Sequence, residues 1–577
     1  MLLSNLNLLA TAPDGVARLR ELILTLAVQG KLLPQDPKDE PASVLLKKIR
    51  AEKDRLIADG KIKRDKPLAE IADDEKPFEL PVGWEWVRLT ALATFENGDR
   101  GSNYPSREKF VDEGIAFINA GHLQDERVDF SDMNYITQQN FDLLRSGKVC
   151  RNDILYCLRG SLGKFALVAD DSQGAIASSL VIIRVAEPMA HTYLMKYLAS
   201  PLAFSQMRRY DNGTAQPNLG AGDLAKFVFP LPPLAEQSRL VTRVEELMRL
   251  CDALQDKARL EATQHAQLVA TLLGTLTAAS GAGASDASAA TPGEPADPLH
   301  ARWQRVAPHF DLLLDRPEAV DALEQTVLQL AVRGHLVPQD PQDEPASALL
   351  KRIRAEKDQL IVERKIKRDK PLPPIAEDEQ PFALPAGWSW ARFPELGEFG
   401  RGKSKHRPRN DPALFNPPKY PLIQTGEVSR AKGVVQEVHS YYSDLGLAQS
   451  RMWPKGTLCI TIAANIAESA ILGFDSCFPD SVVGFVPANA MGNVEYFLLF
   501  VETARADLLA FAPATAQKNI NLEILSSLLI PVPPLKELTR IVTRVAQLRR
   551  LCADLRQRLT ASQSTQAKVA ESLIASV

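Results

Sequence analysis

Residues 397–404 have the spacing of a phosphate-binding loop. They read GEFGRGKS, which fits the pattern G-x-x-x-x-G-K-S, where backbone amides cradle phosphate and the lysine contacts it. Such a loop works only where a helix begins directly after it, with its N-terminus facing the phosphates. The residues that follow, KHRPRNDP, place Pro408 and Pro412 where that helix should run. The surrounding sequence therefore does not favour a nucleotide site.

Residues 416–418 are close to a second catalytic motif. They read NPP and match the first three positions of the Asn/Asp-Pro-Pro-aromatic motif, which holds a flipped adenine for methylation of its amino group. Lys419 occupies the aromatic position, and we find no glycine-rich strand–turn motif for a methyl donor. An autonomous DNA-modifying enzyme is kept as an alternative, which predicts that the chain alone binds nucleotide or methyl donor.

A cluster of basic residues in the same region favours binding over catalysis. Arginine and lysine are the common partners of guanine edges and of phosphates, and here they stand among glycines and prolines that predict an exposed loop. The cluster consists of Arg401, Lys403, Lys405, His406, Arg407 and Arg409. We predict that it contacts DNA.

Other polar residues in predicted loops are further candidates for DNA contacts, although each could equally be an ordinary surface residue. They are Arg100, Tyr104, Arg107 and Lys109, then His122 and Gln124, then Arg159, Ser161 and Lys164, and finally Gln424 and Thr425. Gln216 and Asn218 recur as Gln517 and Asn519, and this recurrence predicts a structural role in which their amides cap the turn into the following helix. We predict no catalytic and no metal-binding residue.

The elements that must position these loops are repeated along the chain. Residues 19–89 match residues 323–393 without a gap, and residues 229–254 match residues 530–555. The segments between, roughly 90–228 and 394–529, look unrelated except at their ends. Each half of the chain therefore has a constant part, a variable part and a second constant part. We expect the constant parts to share one role and the variable parts to recognise different targets.

Composition restricts the class of protein. The 577 residues are too many for one core and predict about four units. No apolar run approaches the roughly 18 residues of a membrane span, and the N-terminus lacks the features of a signal peptide, so we expect a cytoplasmic protein. The six cysteines contain no CxxC pair, which indicates neither zinc nor disulfides. A net charge of −3 argues against tight DNA binding by the chain alone.

Hydrophobic spacing predicts the main elements. Helices are expected over 15–29 and after Pro41, and a further helix over 191–209 with a break at Pro201. Short β-like runs fill the first variable segment and predict an α+β domain with a strand-rich core. After residues 235 and 535, apolar residues at a spacing of three and four predict long coiled-coil helices, with Cys251 and Cys552 as small buried residues. A plain coiled-coil scaffold without sequence readout is a second alternative.

The whole arrangement resembles the specificity subunit of type I restriction–modification systems. The resemblance is carried by AVQGKLLPQDPKDEPA and its copy AVRGHLVPQDPQDEPA, the LP-x-GW-x-W segments, the GTAQ and ATAQ segments, and the PLPPLAEQ and PVPPLKEL helix starts. GKSKHRPRNDP and the run CFPDSVVGF also look like members of that family.

The resemblance implies two strand-rich target recognition domains, separated by long antiparallel coiled-coil helices and related by an internal pseudo-twofold repeat. It places helical conserved regions at 1–80 and 301–384, the recognition domains at 81–230 and 385–531, conserved coiled-coil helices at 231–276 and 532–577, and a flexible linker at 277–300. The implied partners are double-stranded DNA, two adenine methyltransferase subunits carrying S-adenosylmethionine, and restriction subunits using ATP and Mg²⁺. The chain itself would catalyse nothing and bind no cofactor.

Overall fold

The computed structural model describes residues 12–64, 68–171, 173–186, 189, 191–213, 216–277, 299–366, 368, 372–406, 408–463, 465–510 and 520–575. The chain forms two compact units. Unit 1 comprises residues 1–261 and 563–577, and unit 2 comprises residues 262–562. The boundary between the units cuts both long helices, and therefore does not coincide with the predicted linker.

Two helices open unit 1, and each forms where its apolar spacing predicts. The first, α1 (Gly15–Val28), buries Leu22, Ile23 and Ala27, and α2 (Ala42–Ala58) begins directly after Pro41. Gly30 ends the first helical segment with a φ of +68°, and a Cβ there would lie 2.5 Å from Cγ of Pro81. Both the left-handed backbone and this close approach require glycine.

The remaining elements of unit 1 form three sheets with helices beside them. Its strands are β1 (Glu85–Arg88), β2 (Ala93–Asn97), β3 (Phe110–Val111), β4 (Ile115–Ile118), β5 (Leu123–Gln124), β6 (Arg127–Val128), β7 (Tyr135–Ile136), β8 (Ile154–Cys157), β9 (Phe165–Leu167), β10 (Gly174–Ile176), β11 (Leu180–Val185) and β12 (Val228–Leu231). Its helices are α3 (Leu89–Leu92), α4 (Gln138–Leu143), α5 (His191–Leu198), α6 (Pro201–Tyr210), α7 (Ala221–Leu224) and the start of α8 (Leu234–Thr277). The sheet orders are β2-β11-β8-β9-β6-β5, β10-β4-β7-β3 and the pair β1-β12.

Unit 2 has a closely related set of elements. Its helices are α9 (Leu299–Val306), α10 (Phe310–Leu313), α11 (Pro317–Val332), α12 (Ala346–Val362), α13 (Phe393–Leu396), α14 (Thr425–Arg430), α15 (Asp444–Ala448), α16 (Glu495–Ala510), α17 (Leu522–Ser527) and α18 (Leu535–Ala575). Its strands are β13 (Ser389–Ala391), β14 (Gly397–Arg401), β15 (Tyr420–Leu422), β16 (Val434–Val435), β17 (Ser440–Tyr442), β18 (Met452–Trp453), β19 (Leu458–Thr461), β20 (Ser469–Leu472), β21 (Ser476–Cys477), β22 (Val482–Pro487) and β23 (Ile530–Val532). Their orders are β14-β22-β19-β20-β16, β17-β15-β21-β18 and the pair β13-β23.

The larger sheets of the two variable segments share one order of five strands, to which unit 1 adds β5, although the two sequences look unrelated. The order β2-β11-β8-β9-β6 corresponds to β14-β22-β19-β20-β16, with antiparallel pairs first and one parallel pair at the end. In the second sheet of each unit, β4 is parallel to β10 and β15 is parallel to β21. The central strands β8 and β19 are fully buried. The prediction of a mixed fold with two strand-rich domains is confirmed.

The two constant parts that flank each variable segment are joined through duplicated contacts. The Trp84 indole N–H donates to Oε2 of Glu236 at 2.9 Å, and the Trp388 indole N–H donates to Oε2 of Glu537 at 3.1 Å. Burial raises the pKa of both glutamates, and the indole hydrogen bonds oppose that shift. Each pair joins the first constant part to the start of a long helix, across the variable segment.

A buried lysine from the helix before each variable segment repeats the same pattern. The ammonium of Lys53 donates to the carbonyl oxygens of Thr90 and Ala93, at 2.5 and 3.3 Å. Lys357 donates to the carbonyl oxygens of Pro394 and Gly397 in the same way. The start of each variable segment is therefore anchored by a lysine of the constant part before it.

The long helices begin inside the core of their own units. Leu240 and Val244 belong to the core of unit 1, and Ile541 and Val545 belong to the core of unit 2. The spacing of three and four also predicts that Leu268 lies on the buried face of the first long helix. This prediction is wrong, because its side chain is 52% exposed. A straight helix drifts by about 20° per heptad relative to a seven-residue repeat, so positions four heptads from Leu240 have left the buried face.

Three further predictions have different outcomes. The predicted break at Pro201 is confirmed, since α5 ends at Leu198 and the hydroxyl of Ser200 caps α6. Cys251 and Cys552 are buried, as predicted, and burial raises the pKa of both thiols. The predicted linker at 277–300 stays a prediction, because residues 278–298 lie outside the described residues; Thr277, Leu299 and His300 are helical. Among the described helices, none is long and apolar enough to span a membrane.

Candidate nucleic-acid interface

Strand register brings three loops of unit 1 to one edge of its larger sheet. The chain leaves β2 and β8 at the edge where it enters β9 and β11. The residue pairs that establish this edge are Asn97 with Val181, Cys157 with Leu180, and Tyr156 with Phe165. We call loops 98–109, 158–164 and 177–179 the unit 1 loop edge.

Unit 2 repeats the arrangement with its own loops. The corresponding pairs are Arg401 with Val483, Thr461 with Val482, and Ile460 with Ser469. We call loops 402–411, 462–468 and 478–481 the unit 2 loop edge. Gly98 and Gly402 take the same place in the two units, where the chain leaves the sheet. A Cβ on Gly98 would lie 2.7 Å from the carbonyl oxygen of Ala177, and one on Gly402 would collide with Phe478.

Four of the predicted DNA-contacting residues on the unit 1 loop edge lie just after β2 or in the loop between β8 and β9. Arg100 is exposed and donates from Nη2 to the carbonyl oxygen of Ser178 at 3.3 Å. Arg159 is exposed and donates from Nε to Oδ1 of Asn218 at 3.1 Å. Ser161 and Lys164 are exposed in the turn that follows.

The other predicted residues of unit 1 lie in different environments. Arg107 and Lys109 are exposed in a 3₁₀ turn, within the same loop as Arg100. Tyr104 is half-buried and packs edge-on against Phe117, with 5.7 Å between ring centroids. The structure therefore gives Tyr104 a packing role.

His122 and Gln124 are not on the unit 1 loop edge. The expectation of an exposed His122 is wrong, because its ring is buried between two backbone groups: Nδ1 accepts from the amide of Asn119, and Nε2 lies 3.0 Å from the carbonyl oxygen of Asp132. Gln124 is exposed, but its hairpin joins the far end of β9, where Arg127 pairs with Leu167. Sequence could not show this, since both placements depend on distant strands.

The unit 2 loop edge carries most of the predicted basic cluster on one loop. Arg401 donates from Nε to the carbonyl oxygen of Asp480 at 2.9 Å, and Nη2 of Arg409 lies 3.0 Å from the Asp480 carboxylate. Lys403 and Lys405 are exposed, and within the described residues no carboxylate lies within ion-pair distance of either ammonium. Arg407 lies outside the described residues.

His406, Gln424 and Thr425 complete the set. His406 is half-buried, with Nε2 2.8 Å from Oδ2 of Asp411. The backbone amide of Ala413 and the His406 ring both lower the pKa of the Asp411 carboxyl. Gln424 is exposed at the N-cap of α14, and Thr425 is its half-buried first residue. Since Ile423 bonds to the carbonyl oxygen of Cys477, this helix start lies beside the chain that leads into loop 478–481.

Sequence reasoning did not single out Asn119 and gave Asn218 a different role from the one that the structure shows. Asn119 occupies the place that Gln424 has in unit 2, and its Oδ1 accepts from the amide of Gly121. Asn218, predicted to cap a turn into the helix, instead joins Arg159 to Asn212, to which its Nδ2 donates at 2.8 Å. Gln216 is exposed, whereas Gln517 and Asn519 lie outside the described residues. The recurrence of Asn218 along the chain was the one signal available.

The structure removes the support for both catalytic motifs. Residues Gly397–Arg401 form β14, and the described chain that follows is irregular up to a 3₁₀ turn at Pro412–Leu414. A phosphate-binding loop would need a helix there. Lys419, next to the NPP residues, is engaged with Asp444 at 2.8 Å. Within the part of the chain that the structure describes, no group of three or more His, Cys, Asp or Glu residues could hold a metal ion.

Comparison with known proteins agrees with this picture of two DNA-reading domains. The family model described as the type I restriction modification DNA specificity domain matches residues 81–264 and 385–562. The specificity subunit of the type I restriction enzyme EcoEI from Escherichia coli is 33% identical, over 97% of this chain and 93% of that relative. The EcoAI specificity subunit, also from Escherichia coli, is 41% identical over 67% of this chain and 63% of that relative.

The chain is also similar in structure to a solved chain, which comes from work on complex assembly and conformational transition of the type I R-M system. The TM-score is 0.48 and the sequence identity is 17%, and the match covers 86% of this chain and 98% of that one. The matched regions each contain one loop edge, and the EcoEI relative covers nearly the whole chain. This chain therefore belongs to the family of type I restriction–modification specificity subunits, which recognise DNA and are not themselves catalysts.

Proposed function

We propose that this chain reads a bipartite DNA sequence, with one half-site recognised by each loop edge. The observation that carries the proposal is the duplicated geometry: two domains of one topology each present three loops at one sheet edge. The side chains that project there are mainly hydrogen-bond donors, which suit guanine edges and phosphates. In unit 1 the contacts would come from Arg100, Arg107, Lys109, Arg159, Ser161 and Lys164. In unit 2 they would come from Lys403, Lys405, His406 and Arg409 on the loop edge and from Arg401 and Gln424 beside it.

Binding by the chain alone should be weak. Lys and Arg nearly balance Asp and Glu in each variable segment, which leaves roughly −2 and −1 charges. Counterion release from so few net charges gives little affinity, so a partner must supply the rest of the positive surface. We propose that methyltransferase subunits carrying S-adenosylmethionine do so, and that restriction subunits with ATP and Mg²⁺ join the same complex. The chain would bind none of these cofactors itself, and its cytoplasmic location stays a prediction.

The repeated constant parts are the proposed attachment sites for two methyltransferase subunits. The support for this is a pair of exposed leucines at matched positions of the two long helices. Leu250 is 60% exposed in unit 1, and Leu551 is 64% exposed in unit 2. Each lies next to a buried cysteine, so each helix buries one face and presents an apolar residue on another. An apolar side chain that is exposed in both copies is typical of a contact made twice.

The long helices are proposed to pair antiparallel as a coiled coil that sets the distance between half-sites. Helix α8 has 44 residues and α18 has 41. At about 1.5 Å per residue they extend over roughly 60 Å. A rigid spacer of this kind would fix the number of unread base pairs between the two half-sites.

Exchange of one recognition domain tests the proposal. Residues 90–228 are replaced by the equivalent segment of a relative with a different target, and the adenine methylation pattern of the assembled complex is sequenced. One half of the recognised sequence should change while the other half and the spacing are retained. A change in both halves would overturn the assignment of one half-site to each unit.

A further inference from the structure

In unit 1, the first loop of the edge is fixed by a buried carboxylate. Asp99 is only 6% exposed, although it lies two residues beyond β2. Its Oδ1 accepts from the amide of Gly101 at 2.7 Å, and its Oδ2 accepts from the amide of Arg145 at 2.9 Å. These two amides lower the pKa of the carboxyl, so it is ionised at neutral pH. Asp99 thus ties the loop that carries Arg100 to the segment after α4.

In unit 2, the corresponding loop is fixed by a glutamine from the other side. Oε1 of Gln449 accepts from the amides of Lys405 and His406, at 2.6 and 3.1 Å. The hydroxyl of Ser450 donates to the carbonyl oxygen of Lys403 at 2.9 Å. Gln449 directly follows α15. The backbone of Lys403, Lys405 and His406 is therefore held by two side chains that do not belong to the loop.

The two braces join equivalent segments of the two units. Residue 449 lies nine residues before β19, as residue 145 lies nine residues before β8. Loops 98–101 and 402–406 each follow the first strand of the larger sheet. In unit 1 the acceptor side chain is on the loop, and in unit 2 it is on the facing segment. Both units therefore join the same two segments, although the acceptor side chain comes from a different segment in each. This indicates that a fixed conformation of the loop is important in both units.

We propose that Asp99 and Gln449 are positioning residues for sequence readout, each fixing the loop whose basic side chains read one half-site. This inference rests on the proposed function. Neither side chain would touch DNA. Each holds backbone amides in one place, so that the neighbouring arginine, lysine or histidine meets a base edge in one orientation. A loop without its brace would still carry its charge but would discriminate bases less well.

The test uses the complete complex with methyltransferase subunits and a library of DNA targets randomised in each half-site in turn. Base preference at each position is taken from methylation rates. Gln449→Ala should reduce discrimination by about tenfold, the contribution of one good base contact, in the half-site read by unit 2 alone. Asp99→Ala should do the same in the other half-site. Gln449→Glu keeps an acceptor at the same reach and should retain the preference.

Matched controls separate positioning from general destabilisation. Gln436→Ala and Asp112→Ala remove exposed residues of the same two domains and should leave both half-sites unchanged. Hydrogen exchange of the intact chain should show faster exchange in residues 403–406 for Gln449→Ala but not for Gln449→Glu. If Gln449→Ala frees those amides and base preference is unchanged, or falls equally in both half-sites, the inference is overturned. The domain exchange described above would still report independently on the proposed function.

Discussion

Replacing Lys403 and Lys405 together by alanine is the most direct test of the unit 2 loop edge. Both side chains are exposed, and neither has an ion-pair partner among the described residues. Their backbone is held by Ser450 and Gln449, so the loop should keep its conformation without the two ammonium groups. The double variant therefore removes two positive charges from the unit 2 loop edge without leaving a buried group unpaired.

The expected magnitude depends on what the lysines contact. Each phosphate contact contributes about −0.9 to the slope of log affinity against log salt concentration, so two contacts contribute about −1.8. Between roughly 50 and 200 mM salt, the ratio of wild-type to variant affinity should then shrink about twelvefold. A contact to a guanine edge would instead cost about 1–3 kcal/mol and relax one base of the unit 2 half-site.

Binding of the assembled complex to its target is measured across this range of salt, for the wild type, the double variant and Lys455→Ala. Lys455 is an exposed lysine of the same domain, but it precedes β19 and so lies at the opposite end of that strand. Its removal should leave the slope and the base preference unchanged. Parallel salt dependences for the double variant and the wild type, with no change in base preference, would remove Lys403 and Lys405 from the interface.

Three further predictions concern the chain as a whole. The purified chain alone should show no methyl transfer and no ATP hydrolysis, and either activity would refute its role as a recognition subunit. Leu250→Asp combined with Leu551→Asp should weaken assembly with the methyltransferase by about 1.5–3 kcal/mol per site, because that is the free energy gained when an exposed leucine becomes buried. The temperature of thermal unfolding should change little. Unchanged assembly in a titration would contradict the proposed attachment sites. Four residues inserted in both long helices, near Thr263 and Ser564, add about 6 Å and should widen the unread gap by one or two base pairs in the methylation pattern. The original spacing with full activity would mean that the helices do not set it.

The repeat in the sequence predicted the constant parts well, because their contacts are made by residues that the repeat duplicates. Gly30 and Gly334 show this. Both have a positive φ, and both lie against a proline that recurs with them, Pro81 and Pro385. When the repeat duplicates both a residue and the residue that it contacts, the second copy supports a structural role for the first.

The loop edges were predicted less well, because a loop residue's environment depends on partners far away in the sequence. The residue type and the sequence neighbours of His122 predict an exposed contact residue, yet backbone groups of Asp132 and Asn119 enclose its ring. No sequence motif surrounds Gln449. Its contact with the backbone amide of Lys405 depends on the order of the strands, which the sequence did not predict. The sequence also did not predict that the variable segments share a strand topology, because corresponding strands are buried in the same way but differ in residue identity.

The separation of anchoring from reading explains how one fold can serve different targets. The buried tryptophan–glutamate and lysine–carbonyl contacts all lie at the ends of the variable segment, away from the loop edges. Exchanges of base-reading residues therefore leave the anchors intact. Such a brace needs an acceptor oxygen on one segment and a backbone amide on the other, and Asp99 and Gln449 supply the oxygen from opposite sides. The fold can accordingly accommodate a new loop sequence when either the loop or the facing segment provides the acceptor oxygen. The recognised DNA sequence can then change without loss of the fold.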